Sequence, residues 1–186
     1  MVTILQKDDA LLRERAEKVP VEDISSEKIR RIVRDMREAM AGEKDAVAIA
    51  APQIGVSLCI FVVAGKVFEG ERGTNAEENA EQEPKKENAG AEDVTFVNPE
   101  ITKLSRKKAA MEEGCLSVRW WYGLVSRAEK ATIRAYDEKG VQFTRGASGL
   151  LAQIFQHETD HLNGILFIDK AKELREEPPR QAQEKE

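Results

Sequence analysis

The stretch 157-HETDH-161 sets two histidines four residues apart, with a glutamate directly after the first. On a helix, residues i and i+4 share one face, so His157 and His161 can aim both imidazoles at one point. Glu158 follows about 100° around the helix, close enough to work beside that point without being a first choice of ligand. A divalent cation held by imidazoles lowers the pKa of its water toward about 7, and a neighbouring carboxylate accepts the proton during attack. This is the logic of H-E-x-x-H, and the chemistry it points to is metal-assisted hydrolysis. The bland alternative is a polar stripe on a surface helix, where both residue types are tolerated. Two features weigh against it. These are the only two histidines in a chain of 186 residues. The residues just before them, Leu150, Leu151, Ile154 and Phe155, suit a helix that is buried.

Two histidines do not complete a metal site, which needs at least one more protein ligand. Downstream, Glu173 lies in a charged stretch and is a poor candidate. Upstream, 112-EEGCLSV-118 offers Cys115 beside Gly114. A thiolate suits zinc or ferrous iron. A cysteine in such a run is also an ordinary packing residue, and residue type alone leaves both readings open. The other cysteine, Cys59, lies in the apolar run 58-LCIFVV-63 and reads as a packed thiol inside a buried strand. Two cysteines are too few for a disulfide scaffold, although counting leaves a single bridge open.

The elements that must position these groups are legible in part. In 25-SSEKIRRIVRDMREAMAG-42, Ile29, Ile32, Val33, Met36 and Met40 recur at three- and four-residue spacing, which predicts an amphipathic helix. Ser25 or Ser26 can cap its start and Gly42 its end. Small residues and Pro52 in 46-AVAIAAPQIG-55 forbid a long helix there. From Gly70 to Asp93 there is no Val, Ile, Leu, Phe, Met, Trp or Tyr. Such a segment cannot offset its ordering entropy by burial and reads as a solvated, mobile insertion between two strands. Strands are expected at 94–102, with Pro99 marking an edge or a bulge, and at 123–127, 130–137 and 141–145. The turn 137-DEKG-140 joins the last two as a hairpin. The helix 149-GLLAQIFQHETDHLNG-164 stops at Asn163-Gly164. The net charge of −5 argues against a dedicated nucleic-acid binder. No apolar run approaches the roughly 18 residues that span a membrane. The N-terminus lacks a signal-peptide apolar core, so a cytoplasmic location is expected, where thiols stay reduced.

Taken together, these stretches resemble the peptide deformylase family, metallohydrolases that take the formyl group from the N-terminal methionine of nascent chains. Three separated motifs carry the resemblance: 157-HETDH-161 for H-E-x-D-H, 113-EGCLS-117 for E-G-C-L-S, and 46-AVAIAAPQIG-55 for G-x-G-[IL]-A-A-x-Q-[IV]-G. Weaker similarity runs from Ile4 to about Asp169. The resemblance implies that Cys115, His157 and His161 hold the metal, that Glu158 is the general base and then the acid, and that the Gln53 amide and the Leu116 N–H stabilise the oxyanion. It implies ferrous iron as cofactor, with zinc or nickel possible in a purified sample, and N-formylmethionyl peptides or nascent chains as substrates. By position on the matching segments, Val47, Ala48, Glu113, Tyr122, Leu150 and Ile154 are expected to bind substrate. Asp160 is a candidate partner for Arg127, the alternative being a solvated aspartate. Gln153 shares the His157 face and puts an amide where an apolar group is expected.

The chain departs from the family in three places. Ala46 and Ala48 stand where the first motif has glycine, which adds methyl groups beside the substrate and removes positive-φ freedom. The segment 119-RWWY-122 stands where the family has a proline and, a few places on, a basic residue. Adjacent tryptophans in extended chain point opposite ways, which suits either edge-strand packing or a remodelled wall of the peptide groove. The third departure is the insertion with the tail, whose mixed charges offer no evident basic ribosome-docking helix.

The resulting expectation is an α+β fold, antiparallel strands packed around a central helix that carries His157, Glu158 and His161. A single catalytic domain spans 1–170, with the polar insertion at 70–93 and a charged C-terminal tail at 171–186. The chain is expected to be a monomer, with the ribosome as a further candidate partner and no membrane partner. Two rivals stay open: a related metallohydrolase with a different N-acyl or peptide substrate, and a non-catalytic, metal-stabilised binding protein. Glu158 and Gln53 speak against the second, because a purely structural metal needs neither.

Overall fold

The computed structural model describes residues 2–71 and 91–178. All strand pairings are antiparallel and form two sheets. The first contains, in spatial order, β1 (Ala48–Ala50), β2 (Ile60–Val63), β3 (Val94–Leu104), β6 (Lys130–Tyr136) and β7 (Gln142–Ser148). The second contains β4 (Lys108–Cys115), β5 (Val118–Ala128) and β8 (Lys172–Glu176). Helix α1 covers Glu27–Ala41, α2 covers Gly65–Glu71 and α3 covers Gly149–Leu162. Most of the polar insertion expected at 70–93 falls outside the described residues; its first two residues finish α2.

At its β1–β2 end the five-stranded sheet is buried on both faces, and the alternation of side chains along a strand explains how. Phe61 and Val63 of β2, with Ala48 and Ala50 of β1, pack on the face that carries α3. Ile60 and Val62, with Ile49, pack on the opposite face against Ile29, Val33, Met36 and Met40 of α1. Each fully buried aliphatic side chain of this kind stabilises the fold by about 2 kcal/mol. The Ser26 hydroxyl accepts from the Ile29 N–H and caps α1 at the expected place. Helix α3 is held by an aromatic cluster: Phe61 stacks on Phe96 at 4.7 Å between centroids, and Phe155 meets Phe96 edge-on at 5.2 Å. Its other side faces the three-stranded sheet. It is therefore sandwiched between the sheets, the central helix that the sequence leads one to expect.

Some details differ from the sequence reading. Cys59 sits just before β2 rather than within it, with its thiol on the Ala16 carbonyl at 3.3 Å. At Pro99 the β3–β6 register shifts, so that position is a bulge. Strands β4 and β8 and helix α2 were not anticipated. The β6–β7 turn forms as expected, with Asp137 Oδ1 accepting from the N–H groups of Lys139 and Val141. At the end of α3, Gly164 has φ +73, and a Cβ there would lie 2.4 Å from the Arg13 carbonyl oxygen. Only glycine allows the N-terminal segment to lie that close against the helix end.

Candidate metal centre

Two local structures bring the chemistry together. Strands β4 and β5 pair Cys115 with Val118, which leaves Leu116 and Ser117 as a two-residue turn. That turn faces α3. Cys115, His157 and His161 each present a ligand atom, and all of these lie within 4.8 Å of one another. Cys115 Sγ is 3.2 Å from His161 Nε2. His157 turns its Nδ1 to Glu113 Oε2 at 2.8 Å, which leaves Nε2 for the centre.

The electrostatics suit a cation. Burial opposes ionisation of the Cys115 thiol, but the neighbouring imidazoles, His161 foremost, outweigh it and hold the thiol down to about 5. Burial also opposes charge on His157, yet hydrogen bonds to Cys115 and Glu113 push its pKa well above the ordinary value. Burial raises the Glu158 carboxyl, and its Oε2 is buried with no hydrogen-bond partner. A thiolate and two imidazoles in one place form a donor set for a borderline or soft divalent cation, and the unsatisfied Glu158 oxygen lies beside them. The residues present therefore fit a metal.

The ligands are braced from behind. Arg127 of β5 grips Glu113 in a two-pronged pair, Nε to Oε1 at 2.7 Å and Nη2 to Oε2 at 3.0 Å. Its third nitrogen, Nη1, donates to Asp160 Oδ2 on α3 at 2.6 Å, and Lys170 reaches Asp160 Oδ1 at 2.7 Å. Burial alone would raise the Glu113 carboxyl, but His157 and Arg127 hold it down to about 2. Glu113 was expected in the substrate wall. It does border the cavity, but its carboxylate is spent on orienting His157 and anchoring Arg127. Asp160 is the partner of Arg127 and not a solvated aspartate.

Gln53 lies on the 3-10 turn Ala51–Ile54 that follows β1. Its Oε1 accepts from the Ala50 N–H at 2.8 Å, which fixes the amide orientation. The amide nitrogen then donates to Ser117 Oγ at 3.1 Å and points toward Cys115 Sγ at 3.6 Å. Two supports went unforeseen. One is Ser117. The other is Gln156, whose amide accepts from the Ala128 N–H at 2.9 Å and donates to the Ala128 carbonyl at 3.0 Å, so that α3 pairs with the end of β5 as another strand would.

A cavity of about 360 Å³ opens onto this centre. Val47, Ala48, Leu116, Tyr122, Leu150, Gln153, Ile154 and Glu158, all singled out in the sequence, are among the residues that border it. The Gln153 amide is turned aside onto the Glu112 carbonyl at 2.7 Å, so it does not confront the apolar Ile154. Ala46 and Ala48 are buried, and neither is among the positive-φ residues. The backbone there accepts alanine without strain. Gly114 is needed for another reason, because a Cβ would lie 2.8 Å from the Tyr122 ring.

Fold and site together define a metal-dependent hydrolase. Residues 1–177 match the model of the polypeptide deformylase family. The chain is 37% identical over 171 residues to the peptide deformylase of Thermomicrobium roseum, covering 90% of this chain and 84% of that one. It is 37% identical over 172 residues to peptide deformylase 1A, chloroplastic/mitochondrial, of Arabidopsis thaliana, where it spans 60% of the relative. It superposes on the crystal structure of the class I type b peptide deformylase from Acinetobacter baumannii with Met-Ala-Ser bound, with a TM-score of 0.74 and 30% identity, covering 91% of this chain and 99% of that one. The chain belongs to the polypeptide deformylase family, metal-dependent hydrolases that remove the formyl group from nascent chains.

Proposed function

We propose that this chain hydrolyses the N-formyl group of formylmethionyl peptides as one catalytic domain, expected over 1–170 and carried on to Glu176 by β8, which pairs with β5. The observation that carries the reading is the convergence of Cys115, His157 and His161 with the buried Glu158 and the aimed Gln53 amide at one cavity. Cys115, His157 and His161 hold the metal, which when bound lowers the pKa of water toward about 7 and so makes a nucleophile available at neutral pH. Glu158 accepts the proton from the attacking water and returns it to the departing amine. The Gln53 amide and the Leu116 N–H donate to the oxygen that gains negative charge at the formyl carbon, each contribution being worth roughly 3 kcal/mol. The edge of β1 at Val47 and Ala48 lies along the peptide backbone. Ile154 and Leu150, with Tyr122 and the stem of Glu113, border the slot for the methionine side chain.

Ferrous iron is the native metal on the family resemblance; the Cys/His/His donor set also suits zinc and nickel as substitutes. Chelator-stripped protein restored anaerobically with ferrous iron is expected to regain formyl release, and to lose it in air as the Cys115 thiolate is oxidised. Mass spectrometry would locate added oxygen at Cys115. Equal activity with zinc, insensitive to air, would overturn the iron assignment.

The substrates are nascent chains in the cytoplasm, met at the ribosome. No helix among the described residues is long and apolar enough to cross a membrane. The chain acts as a monomer in this reading.

A further inference from the structure

Trp120 is the least expected residue of the cavity. It has φ +67, a left-handed conformation that a bulky side chain adopts only against strain. Strain of this kind persists where the surroundings over-determine it, and it gathers at binding sites. Two contacts hold it, the second anchored by ion pairs. The Trp120 carbonyl accepts from the Glu177 N–H at 2.7 Å, just past β8. The Arg119 guanidinium lies 5.4 Å from the centre of the Trp120 ring. Arg119 in turn pairs with Glu43 and, at 3.5 Å, with Asp45. Those acids precede Ala46–Ala48, so the ion pairs join the two walls of the cavity across its mouth.

The left-handed residue also breaks the strand's alternation. Trp121 packs with Leu12, Val118, Val125 and Phe167. Trp120 is left bordering the cavity with 38% of its surface exposed, on the side where Leu150 is 53% exposed. A ring so pinned and left half open is a surface for another apolar group. The acids facing it are occupied by Arg119, so charge recognition is a poor fit at this spot.

We propose that Trp120 is a specificity-determining residue, offering its ring to an apolar and preferably aromatic side chain at the residue after the formylmethionine. This rests on the deformylase reading. With the formyl carbon at the metal centre and the methionine side chain in the inner slot, the next residue leaves through the mouth that Trp120 borders. Ring-on-ring contact adds to burial by an amount equivalent to about fivefold in affinity.

The test compares kcat/KM for formyl-Met-Phe-Ser-amide and formyl-Met-Ala-Ser-amide, and the dissociation constants of the product peptides Met-Phe-Ser-amide and Met-Ala-Ser-amide by calorimetry. The native chain is expected to favour phenylalanine by about fivefold in both. Trp120→Leu, which keeps an apolar side chain without a ring, is expected to bring both ratios to about one. Trp120→Phe is expected to retain most of the preference. A ratio near one in the native chain, or an unchanged ratio in Trp120→Leu, overturns the proposal. If no formyl peptide is turned over, the deformylase reading fails, and the product-peptide ratios still decide whether Trp120 selects the second residue.

Discussion

Replacing Glu158 by glutamine is expected to lower formyl release by about 10²–10⁴-fold while the bound metal stays at its native stoichiometry. The reason is the division of labour at the centre. Cys115, His157 and His161 form the ligand group, and Glu158 stands outside it. Glutamine keeps the shape of the side chain and removes its ability to take a proton. Metal analysis and steady-state kinetics on one preparation check both points. Loss of metal together with activity would make Glu158 a ligand, and activity within tenfold of native would remove it from the mechanism.

Arg127→Ala is expected to be the most destabilising single change at the site. Arg127 is 4% exposed and bonds Glu113 and Asp160, which come from β4 and α3. Removing one partner from a buried ionic group costs about 3–5 kcal/mol, because the remaining charges stay buried and unpaired. For a domain of this size that is a fall in Tm on the order of 10 °C. A second effect separates positioning from stability. Glu113 fixes the ring of His157 through Nδ1, and loss of such a brace weakens metal affinity by about 10–100-fold. Arg127→Lys is expected to rescue little, since an ammonium cannot reproduce the planar two-pronged grip. A metal titration on folded protein below the lowered Tm would check this. Unchanged metal affinity would reduce Arg127 to a purely structural role.

The two histidines and the carboxylate beside them were legible because their chemistry at one helical spacing is uncommon, whereas Cys115, ambiguous by residue type, was assigned through the resemblance of its segment to the family. The helix α1 and the strand β2 were legible because apolar spacing reports burial directly. What escaped has a common cause. Strand β4, 108-KAAMEEGC-115, carries exposed Lys108 and Glu112 on one side and so lacks an apolar signature. Strand β8, 172-KELRE-176, is charged and nearly all exposed, and it exists because β5 offers an open edge to pair with. The role of Glu113 is a tertiary fact, since nothing local says that its carboxylate meets an arginine fourteen residues on and a histidine from another element. Trp120 and Trp121 were expected to point opposite ways by strand alternation. Both border the cavity, Trp121 while also packing on the core, because the left-handed Trp120 interrupts the alternation.

If the cavity and its metal centre are built to release formate from a peptide N-terminus, the most direct measurement is hydrolysis of formyl-Met-Ala-Ser beside acetyl-Met-Ala-Ser, using ferrous protein kept anaerobic. Rapid formate release with no detectable acetate is the expected result, because the formyl carbon is the less hindered and more electrophilic of the two. Acetate release at a comparable rate would point to a broader N-acyl hydrolase, and turnover of neither peptide by metal-loaded protein would contradict a deformylase role.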